Sequence, residues 1–180
     1  LDLLPLARHY YRGRLPSCRL GDLEAHVLGR ARESEDVPGS LVPALYARFL
    51  DRRDASDLGG VFSHNREDLV SLAALVVHLG SLTDLGGTGR EQLLSGNLWA
   101  KRGQGERAAT HWRRAAEGEA PWSGEALTRL GLRARADRPQ EALRCFEAAL
   151  ARGGDPLVLL EELAKLHEHR TGDLPRALER

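Results

Sequence analysis

The stretches GNLWAKRGQGERAATHWRRAA (residues 96–116) and GLRARADRPQEALRCFEAA (residues 131–149) share one arrangement of small and bulky residues. Each starts with a glycine and contains residues that predict a turn. An alanine follows the turn, and an aromatic residue stands four positions after that alanine. The matched pairs are Gly96 and Gly131, Ala108 and Ala142, Trp112 and Phe146, and Ala115 and Ala149. Both stretches are rich in residues that favour helix. They predict two successive helical hairpins, with small residues where the two helices of a hairpin cross.

The same pattern continues toward the end of the sequence. Ala164 occupies the next small position and Ala177 the next alanine position, so the repeat length stays between 33 and 35 residues. A period near 34 with two helices per unit is typical of TPR-like repeats. Residues 91–180 are therefore predicted to hold two to three TPR-like hairpins, the third ending shortly after its second helix begins. An ordinary helical bundle with chance spacing is the alternative.

The first part of the sequence reads as shorter helices joined by loops. Helical periodicity is predicted for residues 1–12, 20–28, 41–50 and 64–79. The third of these helices is expected to present Leu41, Leu45 and Phe49 inward, and the fourth is the most apolar. Three glycines within LTDLGGTGR (residues 82–90) predict a linker. The predicted organisation is therefore one domain over residues 1–81, a linker over 82–90 and a repeat domain over 91–180.

Composition limits the classes of function. Lys plus Arg and Asp plus Glu number 26 each, so no global charge attracts the chain to nucleic acid. No apolar run approaches the ~20 residues that a membrane span needs, and Cys18 and Cys145 stand alone. A cytoplasmic protein with reduced thiols and no membrane contact is predicted. Because the sequence has no methionine and starts with Leu1, we expect it to be a fragment.

A local basic segment lies near the start of the sequence. It contains two adjacent tyrosines and no acidic residue between Asp2 and Asp22. Its arginines are Arg8, Arg12, Arg14 and Arg19. Arginines bind phosphates and tyrosines stack on bases, so this segment is a candidate nucleic-acid contact. The alternative is a solvated helix face with Tyr10 in the core.

One pair of residues suggests catalysis. His64 and Asp68 are four residues apart on a predicted helix, so they share one helix face. A carboxylate is a hard oxygen ligand that suits Mg²⁺ or Mn²⁺, and an imidazole can accept a proton from water. The alternative is structural, because His-Asn and acidic residues also favour a helix N-terminus.

A family resemblance bears on these alternatives. The segment HNREDLVSL (residues 64–72) resembles the third exonuclease motif of the YprB-type ribonuclease-H-like family, a branch of the DnaQ-like 3′–5′ exonucleases. The preceding sequence is similar to the same family. The matching elements are Asp2-Leu3-Leu4, Arg14 to Leu20, Leu23-Glu24, Leu28-Gly29, Asp36 to Gly39, Pro43 and Tyr46. The resemblance covers about residues 1 to 80.

The resemblance implies roles for three residues. Asp68 would be the last metal-binding carboxylate, His64 would lie near the attacking water, and Asn65 would be a supporting polar residue. The cofactor would be Mg²⁺ or Mn²⁺ in the complete domain. The family's Asp-x-Glu strand motif and its second Asp motif do not occur in this sequence. Because one aspartate cannot hold two cations, we expect this chain alone to be inactive.

The predicted fold of this sequence is all-α: the C-terminal helices of a ribonuclease-H-like α/β domain, followed by TPR-like helical hairpins. The predicted function is that of a fragment of a metal-dependent 3′–5′ exonuclease acting on DNA or RNA, with a protein partner on the repeats. The alternative is a non-catalytic repeat scaffold for protein–protein binding. A nuclease-like domain that binds nucleic acid without cutting it is a third option. The three tryptophans are predicted to lie in the repeat core, and His167 and His169 to have surface and packing roles.

Overall fold

The computed structural model describes residues 2–30 and 37–168. Over these residues the chain consists of helices, turns and coil, without a β-strand. The all-α prediction is therefore confirmed for the described part of the chain. The chain divides into two compact units, Leu1–Gly80 and Ser81–Arg180. In the same described residues, no helix combines the length and apolar character that crossing a bilayer requires.

The first unit is built from short helices followed by one long helix. Helix α1 (Leu4–Tyr11) begins with a proline in its first turn, where the missing N–H costs nothing. Helix α2 (Leu20–Leu23) leads into a π-helical turn that ends at Gly29, whose φ of 63° is left-handed as the predicted helix end requires. The remaining elements are a 3-10 turn at Gly39–Leu41, α3 (Val42–Arg52), a 3-10 turn at Ser56–Leu58, and α4 (Gly59–Thr83).

Two predictions for this unit need correction. Helix α4 starts five residues before the predicted start at His64, because the 3-10 turn at Ser56–Leu58 runs directly into it. Helix α3 has no buried residue. Of its predicted inward side chains, Leu41 is 51% exposed, while Leu45 and Phe49 are only partly covered. An amphipathic pattern predicts a face, but it does not predict that another element covers it.

The second unit repeats one helical hairpin. Its helices are α5 (Gly89–Lys101), α6 (Gly105–Ala116), α7 (Trp122–Ala134), α8 (Pro139–Ala151) and α9 (Pro156–Leu166). Equivalent helices start 33 or 34 residues apart. Helix α5 packs on α6 and α7 on α8, and α6 and α8 each also contact the helix that follows. The predicted hairpins are therefore observed, while the name TPR-like stays a prediction. The predicted second helix of the third hairpin lies outside the described residues.

The matched small and aromatic residues form the core of each hairpin. A Cβ on Gly96 would overlap the Trp112 indole, and a Cβ on Gly131 would overlap the Phe146 ring. Phe146 is fully buried. The matched alanines of both hairpins are fully buried as well: Ala108, Ala115, Ala142 and Ala149. The close helix crossing expected from the small residues is therefore present in both hairpins.

The predicted linker, residues 82–90, is attached to the second unit. The Thr88 side chain and Glu91 form a capping box at the start of α5. Leu82 is buried, and its carbonyl accepts a hydrogen bond from Ser95 Oγ at 2.7 Å. The Thr83 carbonyl accepts one from Trp99 Nε1 at 3.1 Å. The segment thus comprises the end of α4, a short turn and the start of α5, and hydrogen bonds hold the end of α4 against α5.

The remaining aromatic and histidine predictions have mixed outcomes. Trp112 lies in the core and Trp99 is half-buried, but Trp122 is exposed beside the Arg90 guanidinium, 5.4 Å from its ring centre. The core prediction for Trp122 is therefore wrong. His167 is buried, which agrees with a packing role. His169 lies outside the described residues.

Candidate functional site

The His64–Asp68 pair lies on the second and third turns of α4. His64 Nε2 is 3.4 Å from Asp68 Oδ2, and the two side chains are 28% and 30% exposed. The pair continues the helix face that carries the buried Ser71 and Leu75. Helix α4 has no acidic residue in its first turn. The helix-cap interpretation of this pair is therefore wrong, and the two side chains instead form a partly buried contact with each other.

Asn65 does not join this pair. Successive residues of an α-helix are rotated by about 100°, so Asn65 lies on a different face of α4 from His64 and Asp68. Its side chain is exposed. The supporting role that the resemblance implies for Asn65 stays a prediction.

Arg30 is a neighbour of this face that the sequence did not indicate. Its Nη1 donates to Ser71 Oγ at 3.3 Å. Ser71 follows Asp68 by three residues, one turn further along the same face of α4. A guanidinium therefore lies near the candidate carboxylate and can attract an anion there. The two residues are 41 positions apart, and Arg30 belongs to a segment that reads only as a charged loop, so no local pattern could reveal the contact.

A resident metal needs more ligands than this pair supplies. Within residues 2–30 and 37–168, no group of three or more His, Cys, Asp or Glu side chains could hold a metal ion. One carboxylate and one imidazole cannot hold two divalent cations, which need several bridging oxygen ligands. The described donor set by itself does not fit a two-cation centre.

The structure brings together three of the four predicted nucleic-acid-binding arginines. Arg8, Arg12 and Arg19 line one cavity of about 620 Å³. The guanidinium of Arg14 does not line it and lies instead over the Tyr11 ring, 5.8 Å from its centre. Three of the arginines in the predicted basic contact therefore lie at one cavity. A phosphate-binding role for Arg14, which lies outside this cavity, stays a prediction.

The tyrosines of this segment are buried. Tyr10 is completely buried and Tyr11 nearly so. Tyr11 Oη lies 2.6 Å from His78 Nε2, and the two rings stack with centres 6.2 Å apart. The expectation that these rings stack on bases is therefore wrong, and the alternative of Tyr10 in the core is confirmed. The Tyr11–His78 hydrogen bond fastens the arginine-bearing helix α1 to α4, the helix that carries His64 and Asp68.

Comparisons with known proteins concern the first unit. Residues 1–80 match the family model of the RNase H superfamily. Residues 1–80 are therefore a ribonuclease-H-like segment. Members of this superfamily usually depend on divalent metals.

The first unit is also similar to one curated protein. The chain is 38% identical over 78 residues to the "Uncharacterized protein YprB" of Bacillus subtilis (strain 168). This alignment covers 43% of the chain and 19% of the relative, so the chain spans about a fifth of that protein's length. No solved structure matches. The resemblance to the YprB-type ribonuclease-H-like family is thus confirmed for the first unit.

Proposed function

We propose that residues 1–80 contribute His64 and Asp68 to the active site of a metal-dependent 3′–5′ exonuclease acting on DNA or RNA. The observation that carries this proposal is the 3.4 Å contact between His64 Nε2 and Asp68 Oδ2, on one face of α4, within a segment of the RNase H superfamily. The further carboxylates of such a centre would come from sequence outside this chain. The 180-residue chain alone would then hold metal weakly and hydrolyse nothing.

The chemistry of the two side chains supports this assignment. The Asp68 carboxylate offers hard oxygen atoms, which Mg²⁺ and Mn²⁺ prefer. The neighbouring His64 imidazole can accept a proton, and its contact with Asp68 restricts the orientation of the ring. Both side chains are only partly exposed, so their geometry is restrained before any ligand arrives. Arg30, which donates to Ser71 on the same face, would add a positive charge for a phosphate.

The second unit supports a complementary role in protein binding. Its hairpins contain their own buried clusters, one centred on Phe146 and one on Trp112. Stacked helical hairpins offer extended binding surfaces without any catalytic group. We propose that this unit binds a protein partner or guides substrate in the cytoplasm. If the nuclease proposal fails, a scaffold for protein–protein binding becomes the better account of the chain.

A hydrolysis assay tests the nuclease proposal. The protein is extended upstream of residue 1 and incubated with 5′-labelled single-stranded DNA or RNA and either Mg²⁺ or Mn²⁺. We expect stepwise shortening from the 3′ end, reduced at least about a hundredfold by Asp68→Ala. Glu67→Ala, a neighbouring carboxylate on another helix face, is the matched control and should keep the activity. If the extended protein hydrolyses neither nucleic acid with either metal, the nuclease proposal is wrong.

A further inference from the structure

We propose that the cavity lined by Arg8, Arg12 and Arg19 is a phosphate-binding site for single-stranded nucleic acid and that it works without metal. The identity of the ligand rests on the proposed nuclease function. The existence of an anion site rests on the cavity itself.

The backbone explains how three arginines reach one cavity. Arg8 and Arg12 are four residues apart at the end of α1, so their side chains leave the helix on the same side. The chain then turns at Gly13, where φ is 78°, a left-handed conformation that favours glycine. Arg19 follows that turn and lines the same cavity. Its backbone N–H donates to Ser17 Oγ at 3.0 Å, which fixes the returning segment.

The charged residues that line the cavity are all basic. No acidic residue lines it, and all three arginines are exposed. The acidic residues that flank the lining along the chain both accept hydrogen bonds: Asp2 accepts one from the Leu4 backbone N–H at 3.0 Å, and Asp22 accepts one from Ser17 Oγ. Across the described ranges, the guanidinium groups of the three arginines take part in no ion pair with a carboxylate. Three neighbouring guanidinium groups repel one another, and a phosphate that receives their N–H groups relieves that repulsion.

The size and the lining residues of the cavity favour a nucleic-acid strand over an isolated phosphate ion as the ligand. The volume of about 620 Å³ falls within the usual range of ligand sites and exceeds what one phosphate group fills. Leu4, Leu15 and Pro16 supply apolar surface beside the arginines, against which a sugar or base can rest. Because Tyr10 and Tyr11 are buried, no tyrosine here reads or stacks a base. We therefore expect binding that depends on phosphates and salt and little on base sequence.

Binding to the full 180-residue chain tests this site directly. Fluorescence anisotropy with a labelled 12-nucleotide oligothymidylate or oligouridylate is measured in EDTA, so that no metal contributes. We expect Arg8→Ala, Arg12→Ala and Arg19→Ala each to raise Kd about tenfold and to reduce the salt slope of log K by about 0.7. Arg52→Ala removes one exposed arginine of α3 and is the matched control, with an expected change of less than about twofold.

Cys18 supplies a second measurement because it also lines the cavity. In a Cys145→Ser background it is the sole thiol, and its alkylation by iodoacetamide should slow when the oligonucleotide is present. Slowing by inorganic phosphate alone, at millimolar concentration, would support an anion site that does not need a strand. Unchanged Kd in all three arginine variants together with unchanged alkylation of Cys18 would overturn the proposal.

These measurements test the phosphate-binding site and the proposed nuclease activity independently of each other. Binding is recorded in EDTA, where no metal contributes, and hydrolysis is recorded separately with the extended protein. If the extended protein proves unable to hydrolyse nucleic acid while the arginine variants still lose binding, the nuclease proposal fails and the phosphate site stands. If hydrolysis is found but the arginine variants bind normally, the phosphate site fails and the nuclease proposal stands.

Discussion

The aromatic residues of the second unit and the apolar residues of α4 in the first unit have opposite environments. Trp112 and Phe146 are buried against glycines of the preceding helices. On α4, by contrast, six large apolar side chains are at least 40% exposed: Phe62, Leu69, Val70, Leu72, Val76 and Val77. Both regions consist of helices with strong apolar patterns, so the difference lies in what packs against them.

The difference follows from how each unit is built. In the second unit every helix meets its sequence neighbour, so the contacts that bury its apolar stripe are local. In the first unit α3 buries no residue and α4 buries one face only. Large exposed apolar patches commonly mark surfaces that another protein surface covers. We propose that the further parts of a ribonuclease-H-like domain cover these faces, so the first unit should depend on other sequence for stability while the second should not.

The largest expected effect comes from two matched phenylalanines. Phe146 is completely buried in the second unit, whereas Phe62 on α4 is 63% exposed. Phe146→Ala should lower the free energy of unfolding by about 3 to 5 kcal/mol, because it removes a core ring and leaves a cavity. All three tryptophans lie in the second unit, so urea unfolding followed by tryptophan fluorescence reports on that unit alone. Phe62→Ala should leave this transition within about 0.5 kcal/mol; equal effects would contradict the comparison.

A smaller effect is expected from two matched glycines. Gly131 faces the Phe146 ring, and a Cβ there would overlap it, while a Cβ on Gly80 in α4 would meet no atom within 4 Å. Gly131→Ala should therefore cost about 1 to 3 kcal/mol by overpacking. Gly80→Ala should instead stabilise α4 by up to about 1 kcal/mol, because alanine favours helix. Thermal unfolding followed by circular dichroism would measure both, and a stable Gly131→Ala variant would show that the hairpins do not cross as described.

The smallest expected effect is a pH dependence in the second unit. His111 is buried, with Nδ1 2.8 Å from Gln92 Oε1. Burial lowers the pKa of His111 below its ordinary value of 6.5, although the Thr83 carbonyl opposes the shift. The unfolded chain therefore takes up this proton more readily than the folded chain. Stability that is present above pH 6.5 should be lost as the pH falls through the folded pKa.

The urea midpoint measured by tryptophan fluorescence at pH 7.5 and pH 5.5 would detect this loss. His111→Gln should remove most of the difference between the two pH values. His26→Gln, at an exposed position of the first unit, is the control and should preserve the difference. A midpoint that is equal at both pH values in the parent chain would contradict the role given to the buried His111.

The sequence revealed the local features of this fold and missed the long-range ones. The hairpins were predictable because Gly131 and Phe146 belong to one repeating pattern. The start of α4 was not, because Gly59 and Gly60 read as helix breakers, whereas Gly60 lies inside the helix, where a Cβ would meet Val37 at 2.9 Å.

The candidate site shows the same limit. His64 and Asp68 were predictable because i and i+4 residues share a helix face. The contact of Arg30 with Ser71 was not, and neither was the separation of Arg14 from the other arginines, because both depend on how the chain turns back on itself. The exposure of α3 could not be predicted either, because an amphipathic pattern shows which face of a helix is apolar but not whether another element packs on that face.

Hydrogen exchange by mass spectrometry on the 180-residue chain tests the central contrast most directly. It compares the amides of α3 and α4 with those of α7 and α8 in one molecule under one condition. We expect α7 and α8 to exchange slowly as one cooperative unit, α3 to exchange fastest, and α4 to lie between them. If α3 and α4 were as strongly protected as α8, the first unit would be closed on itself, and the account of two differently built units would be wrong.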